Sequence, residues 1–216
     1  MTSLLKRAFV IYDNNFIEKE KANEYFESFQ TFDWKYNDYN GYKLNRQTCA
    51  FADKEIVEDK KKIPAIWGND ITIKEWTPEL LEIKQKTEQK IKELTGIDWK
   101  YNIALGNRYT KRNDFIAFHS DNEELGNTKS IASLSFGIPR TFHYMSKNIN
   151  KDITEYIQEK ESIILENGSL IFMGDNCQEN YRHGMKKEDL TKLANEETLT
   201  KYDNTRINIT FRVWDY

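Results

Sequence analysis

Thr205-Arg206-Ile207-Asn208-Ile209-Thr210-Phe211-Arg212-Val213-Trp214 is the stretch whose reading decides the fold. It alternates strictly, and side chains at i and i+2 of a strand share a face. Arg206, Asn208, Thr210 and Arg212 therefore lie on one side, and Ile207, Ile209, Phe211 and Val213 on the other. The apolar side needs a core. The polar side, with two guanidiniums, must line a cavity or meet solvent. At ~3.3 Å per residue the two arginine Cα atoms stand roughly 20 Å apart, so over one small ligand they lean inward or divide their roles.

Upstream the same grammar recurs. Residues 99–109, 114–119, 130–136, 140–145, 162–166 and 169–173 alternate or are β-rich, and 8–12 reads as a further strand. In 99–109, alternation groups Tyr101, Ile103 and Leu105 with Asn107 and Tyr109. Two helices precede most of these strands. Residues 15–29 place Phe16, Ala22, Tyr25 and Phe26 at helical intervals. Residues 77–94 open on Thr77 as N-cap with Pro78 behind it and end at Gly96, with Leu80, Leu81, Ile83, Thr87, Ile91 and Leu94 inward. Residues 30–75 mix strands with polar loops. Residues 146–160 are expected as a loop or long hairpin end, and 186–204 as a charged loop with room for a short helix. Helices followed by many strands indicate an α+β class whose strands close as a double-sheet jelly roll.

A length of 216 residues fits one domain with an N-terminal extension. Charged residues make up 31%, aromatics 13%, and the mean hydropathy is −0.80, which describes a soluble folded chain. No apolar run approaches a membrane span, and the first residues lack a secretory signal, so an intracellular protein without membrane contact is expected. Cys49 and Cys177 offer neither a disulfide framework nor a zinc spacing. A net charge of −3 does not suit a chain living on phosphate backbone, so nucleic-acid contact requires a local basic surface; Lys60-Lys61-Lys62 is one candidate, and a solvated loop is the plainer reading.

Chemistry enters at His119-Ser120-Asp121. Its two outer residues share a face if the strand end stays extended. His183 sits near the edge of another strand and can complete two imidazoles and one carboxylate, the donor set of a non-haem Fe(II) site with open positions. The guanidiniums of Arg206 and Arg212 suit a dicarboxylate co-substrate. Asn107 and Tyr109 form another i, i+2 pair that could bond its carboxylate. His143, flanked by Phe142 and Tyr144, has no carboxylate at useful spacing.

These pieces, in this order, resemble the AlkB family of Fe(II)/2-oxoglutarate dioxygenases, above all its nucleic-acid-demethylating members. The matching stretches are 107–109, 119–123, 131–137 with 140–142, 168–173, His183 and 206–212. The resemblance implies a single domain over 1–216, with 1–98 as an extension carrying helices and a nucleotide-recognition lid, and 99–216 as the catalytic jelly roll. It implies that His119, Asp121 and His183 hold iron, and that Asn107, Tyr109, Arg206, Asn208 and Arg212 hold 2-oxoglutarate, with O2 as the second co-substrate. Glu123 would read the exocyclic amine of a base, Arg140 would orient Glu123, Trp67 would stack on the base, and Arg46 would contact substrate. The implied reaction is oxidative demethylation of N-alkylated bases such as 1-methyladenine and 3-methylcytosine in DNA or RNA, with release of formaldehyde. Alkylated nucleic acid, single-stranded rather than duplex, is the expected partner of a monomer. A protein or small-molecule substrate, or a non-catalytic reader of modified nucleic acid, are the alternatives. The chain departs from the family in having Asn122 where an acidic residue is common, no clear apolar finger beyond Leu44, and a longer 186–204 segment.

Overall fold

The computed structural model describes residues 5, 8–39, 42–59, 71–122, 126–147 and 158–215. In chain order the elements are β1 (Phe9–Asp13), α1 (Lys19–Gln30), β2 (Asp38–Tyr39), β3 (Tyr42–Lys43), β4 (Gln47–Ala52), α2 (Lys54–Glu58), β5 (Ile73–Glu75), α3 (Pro78–Thr95), β6 (Ile103–Tyr109), β7 (Ile116–His119), β8 (Ser130–Gly137), β9 (Arg140–Ser146), β10 (Lys160–Leu165), β11 (Ser169–Gly174), α4 (Cys177–Asn180), β12 (Tyr181–Met185), α5 (Glu196–Lys201) and β13 (Arg206–Arg212). Among the described residues, seven strands form a sheet in the order β1-β11-β8-β13-β6-β4-β5, and four form a second in the order β10-β9-β12-β7. This is the expected α+β class, with a jelly-roll pair of sheets. β1, β4 and β5 all fall within 1–98 and are hydrogen-bonded into the larger sheet, so that stretch builds the core as well as flanking it.

β13 lies at the centre of the larger sheet, between β8 and β6. Its apolar face behaves as the alternation requires. Ile207, Ile209 and Phe211 are fully buried in a cluster with Phe26 and Phe29 of α1 and Ile83 and Ile91 of α3. The helices thus cover one face of the sheet, and the polar face of β13 is left toward the smaller sheet.

α3 starts and stops as its sequence predicts. Thr77 accepts a hydrogen bond from the Leu80 N–H, Pro78 follows it, and Gly96 closes the helix in the left-handed region at φ 75°. One inward assignment fails: Leu81 is 38% exposed, because it stands ~100° round the helix from buried Leu80. Buried Glu88 takes an inward place instead, and accepts a bond from the Tyr101 N–H at 2.9 Å. That bond holds Tyr101 ahead of the β6 ladder, so it does not follow the alternation of Ile103 and Leu105; its ring packs against Phe211 in the helix-side core. α1 begins at Lys19 rather than near 15, because the Ile17 N–H is taken by the Gly168 carbonyl at 2.9 Å, across the β10–β11 turn. The 186–204 segment holds a short 3₁₀ turn at Leu190–Lys192 and α5.

Gly137 ends β8 at φ +89°, and a Cβ there would fall on the Thr205 carbonyl oxygen and within 2.6 Å of the Phe26 ring. Gly137→Ala is expected to destabilise the fold by about 3 kcal/mol, from left-handed strain plus a backbone clash. An unchanged midpoint in urea unfolding would contradict this.

Candidate active site

β12 pairs antiparallel with β7 so that His183 lies directly opposite His119. Their ring centroids are 4.5 Å apart. Asp121 follows two residues after His119. His119 Nε2 stands 3.6 Å from one Asp121 carboxylate oxygen, and His183 Nε2 stands 3.8 Å from the other. One ligand atom from each of the three lies within 4.8 Å of the others. His119 Nδ1 is 2.8 Å from the Ala117 carbonyl, which assigns its proton there and leaves Nε2 as a lone-pair donor. The Asp121 N–H donates to the Gln178 side chain at 3.0 Å. A register shift between His183 and Met185 re-aims β12 at this point.

Burial alone would raise the Asp121 carboxyl, but the Arg212 guanidinium, 3.0 Å away, and the two imidazoles hold it down at about 2. Burial pushes His183 down to about 3, against the pull of Asp121. At neutral pH the trio is thus an ionised carboxylate beside a neutral buried His183. Unfolded histidine takes up its proton near ~6.5, so between there and about 3 the unfolded chain binds the proton that folded His183 refuses. The contribution is therefore intact above ~6.5 and drains away as the pH falls below it. Melting temperatures of metal-free protein should decline from pH 7 to 5, and the decline should shrink in His183→Gln. An equal slope in that variant would refute the assignment.

The polar face of β13 forms the floor of a cavity of about 650 Å³ that the triad also lines. Its residues divide their roles along the strand. Arg212 pairs with Asp121 at the triad end. Arg206, at the other end, donates to Ser135 Oγ at 2.8 Å and lies 5.4 Å from the centre of the Tyr109 ring. Between them Asn208 donates to Ser133 Oγ at 2.6 Å and to the Leu134 carbonyl at 2.9 Å, and accepts from Thr210 at 3.1 Å and Asn107 at 3.2 Å. Arg206 and Arg212 are 1% and 5% exposed, yet Nε and Nη1 of each have no hydrogen-bond partner. Burial draws Arg206 down to about 10, which leaves it cationic at neutral pH.

Other anticipated residues fall in different places. Arg46 lines the cavity, where its Nε donates to Asn107 Oδ1 at 2.6 Å; it touches the floor rather than standing at the rim. Leu44 and Asn122 also line the cavity. Arg140 does not: it is 1% exposed and bonded to Glu188. Glu123, Trp67 and the Lys60–Lys62 run lie outside the described residues. His143 meets Ser162 at 2.7 Å, away from the triad. Cys49 and Cys177 are free and buried. No helix among the described residues is long and apolar enough to cross a membrane. Sequence reading passed over Gln178, Asp114 and Glu188. Ser133 and Ser135 carried a usable signal as alternating hydroxyls in an otherwise apolar strand.

Two histidines, a carboxylate and two buried guanidiniums with idle donors define a class, and comparison with known proteins agrees. The chain belongs to the 2OG-Fe(II) oxygenase superfamily, whose description matches residues 9–212. Within it the chain is of the AlkB type. It is 34% identical over 139 residues to the "Alpha-ketoglutarate-dependent dioxygenase alkB homolog 3" of Bos taurus, covering 63% of this chain and 43% of that protein. It is 31% identical over 130 residues to the "DNA oxidative demethylase ALKBH2" of Arabidopsis thaliana, covering 53% and 38%. The chain thus spans less than half the length of these relatives. The solved structure of OsALKBH1 shares the fold, at a TM-score of 0.61 and 18% identity, over 96% of this chain and 99% of that one.

Proposed function

We propose that this chain is an Fe(II)- and 2-oxoglutarate-dependent dioxygenase that oxidatively demethylates N-alkylated bases of the 1-methyladenine and 3-methylcytosine type in DNA or RNA. The observation that carries the reading is the pair of buried guanidiniums with unused donors beside a His–Asp–His trio whose Asp121 and His183 are buried. Buried donors left unpaired are costly, and a dicarboxylate lying along β13 would satisfy them.

His119, Asp121 and His183 would hold the iron. With O2 and 2-oxoglutarate bound, that metal supplies the oxidation of a C–H bond. The rest falls to this chain's own groups. Arg206, Tyr109, Asn107, Asn208 and Arg212 would bind and orient the co-substrate. Arg212 would also offset the Asp121 charge, so the carboxylate stays ionised in a buried place. Leu105, Phe142, Met173 and Met185 line the same cavity and would help to keep water from the reacting atoms.

Nucleic acid as the substrate rests on the printed activities of the relatives and on the cavity's edge. Lys43 and Lys111 both lie over the Tyr36 ring, at 5.4 and 5.7 Å, and Lys187 lies 5.2 Å over Phe115. Lys43 and Phe115 line the cavity, which gives this acidic chain a local cationic and aromatic border suited to phosphate and base. Single strands fit best, since a base leaves a single strand at lower cost than a duplex. Glu123 and Trp67 are proposed to read and stack on that base.

The test is formaldehyde release and mass change on single-stranded DNA and RNA carrying 1-methyladenine or 3-methylcytosine, with Fe(II), 2-oxoglutarate and ascorbate, and His119→Ala as control. Methyl loss in the wild type alone is expected. Turnover of 2-oxoglutarate without methyl loss would point to a protein or small-molecule substrate, and silence in both to a reader.

A further inference from the structure

Glu188 lies near the start of the long segment between β12 and β13, and none of the site chemistry above uses it. Its carboxylate accepts from Arg140 Nε at 2.7 Å and from the Thr141 N–H at 3.0 Å. Arg140 Nη2 donates to the carbonyls of Asp114 at 3.0 Å and Lys186 at 2.9 Å. Asp114, 5% exposed, accepts in turn from the N–H groups of Thr110 and Lys111 at 2.8 and 3.1 Å, closing the turn directly after Tyr109. Arg140 also lies 5.8 Å from the centre of the Tyr109 ring, a ring that Arg206 approaches to 5.4 Å. Tyr109 is therefore held through the turn that follows it and through its ring, and one of the two guanidiniums against it stands outside the cavity lining.

We propose that Arg140, fixed by Glu188, is a positioning residue for the co-substrate. It sets the place of Tyr109, and with it the Arg206 end of the cavity, and so tunes affinity for the carboxylate of 2-oxoglutarate that lies away from the metal. This rests on reading the cavity as the 2-oxoglutarate pocket. A guanidinium buried this deeply is costly to maintain unless every bond it makes is held in good geometry. Arg140 holds three acceptors from two segments, the turn before β7 and the stretch just after β12, and so ties together the ends of two paired strands. The segment 186–204 thereby reaches the co-substrate end of the cavity without lining it.

The experiment is calorimetric titration of Mn(II)-loaded protein with 2-oxoglutarate and with 2-oxobutanoate, which has the same chelating head and no distal carboxylate. Glu188→Ala should weaken 2-oxoglutarate by about 10- to 100-fold, the range for partners one step behind a ligand, and leave 2-oxobutanoate and Mn(II) affinity unchanged. Glu188→Gln keeps an acceptor oxygen for Arg140 and Thr141 and should retain wild-type affinity. Arg140→Lys, unable to serve all three acceptors, should repeat the selective loss. Equal loss of both ligands, no loss of either, or a Gln variant as weak as the Ala variant would each overturn the proposal. A wild-type protein that binds Mn(II) but not 2-oxoglutarate would sink the reading of the pocket itself, and this inference with it.

Discussion

Asp121→Ala is expected to lose both the metal and part of the fold, whereas His119→Ala loses the metal alone. Both should lower turnover by about 10⁴-fold, the scale seen when one member of a cooperating catalytic set is removed. Their stabilities should diverge. Asp121 has a 2%-exposed side chain and stands 3.0 Å from Arg212, itself 6% exposed. Removing the carboxylate leaves that guanidinium buried and unpaired, a loss of about 3–5 kcal/mol. The His119 side chain is 33% exposed and its Nδ1 contact is to a carbonyl two residues away, so its removal should cost less than about 1 kcal/mol. Urea unfolding of the metal-free variants measures the difference. Equal stability would mean that the Asp121–Arg212 pair contributes nothing to the fold.

The two arginines should fail in different ways. Arg206→Ala removes the buried cation remote from the triad and is expected to raise the Kd for 2-oxoglutarate by about 10²- to 10³-fold, as for truncating one side of a buried charge pair. Mn(II) affinity should not move, because Arg206 is bonded to Ser135 and touches no triad member. Arg212→Lys should weaken the co-substrate and the metal together, since a single ammonium cannot both hold Asp121 and present a planar fork to the cavity. Binding isotherms for Mn(II) and 2-oxoglutarate on each variant separate the two patterns. Loss of Mn(II) in Arg206→Ala would refute the division of roles along β13.

Much of this was legible because local rules govern it. Strict alternation over 206–212 assigns the apolar face to the core and leaves the polar face to a cavity or solvent; every residue of β13 is buried, which decides for the cavity. Thr77, Pro78 and Gly96 mark the ends of α3 from sequence alone. What escaped depends on contacts distant in sequence. β12 as the hydrogen-bonded neighbour of β7, which sets His183 opposite His119, follows from sheet order and from no local pattern. Arg46 reaches Asn107 across 61 residues, and Arg140 reaches Glu188 across 48. An isolated arginine in a sequence shows its charge and not its partner, so neither of these contacts could be read there. Leu81 was misplaced for a smaller reason: in an amphipathic helix the edge of the apolar stripe is set by what packs on it.

The central position of β13 also bears on how the protein is made. While a nascent chain has emerged only through β12, the larger sheet exists as two separate halves, β1-β11-β8 and β6-β4-β5, each with an unpaired edge where β13 belongs. Such edges invite pairing with other chains. Insertion of 206–212 seals both at once and in the same event delivers the two arginines. Pairings this distant close slowly, so synthesis passes through a stage that is vulnerable to aggregation and has no completed pocket. A chaperone acting on this protein would have most to protect in the interval before β13 leaves the ribosome.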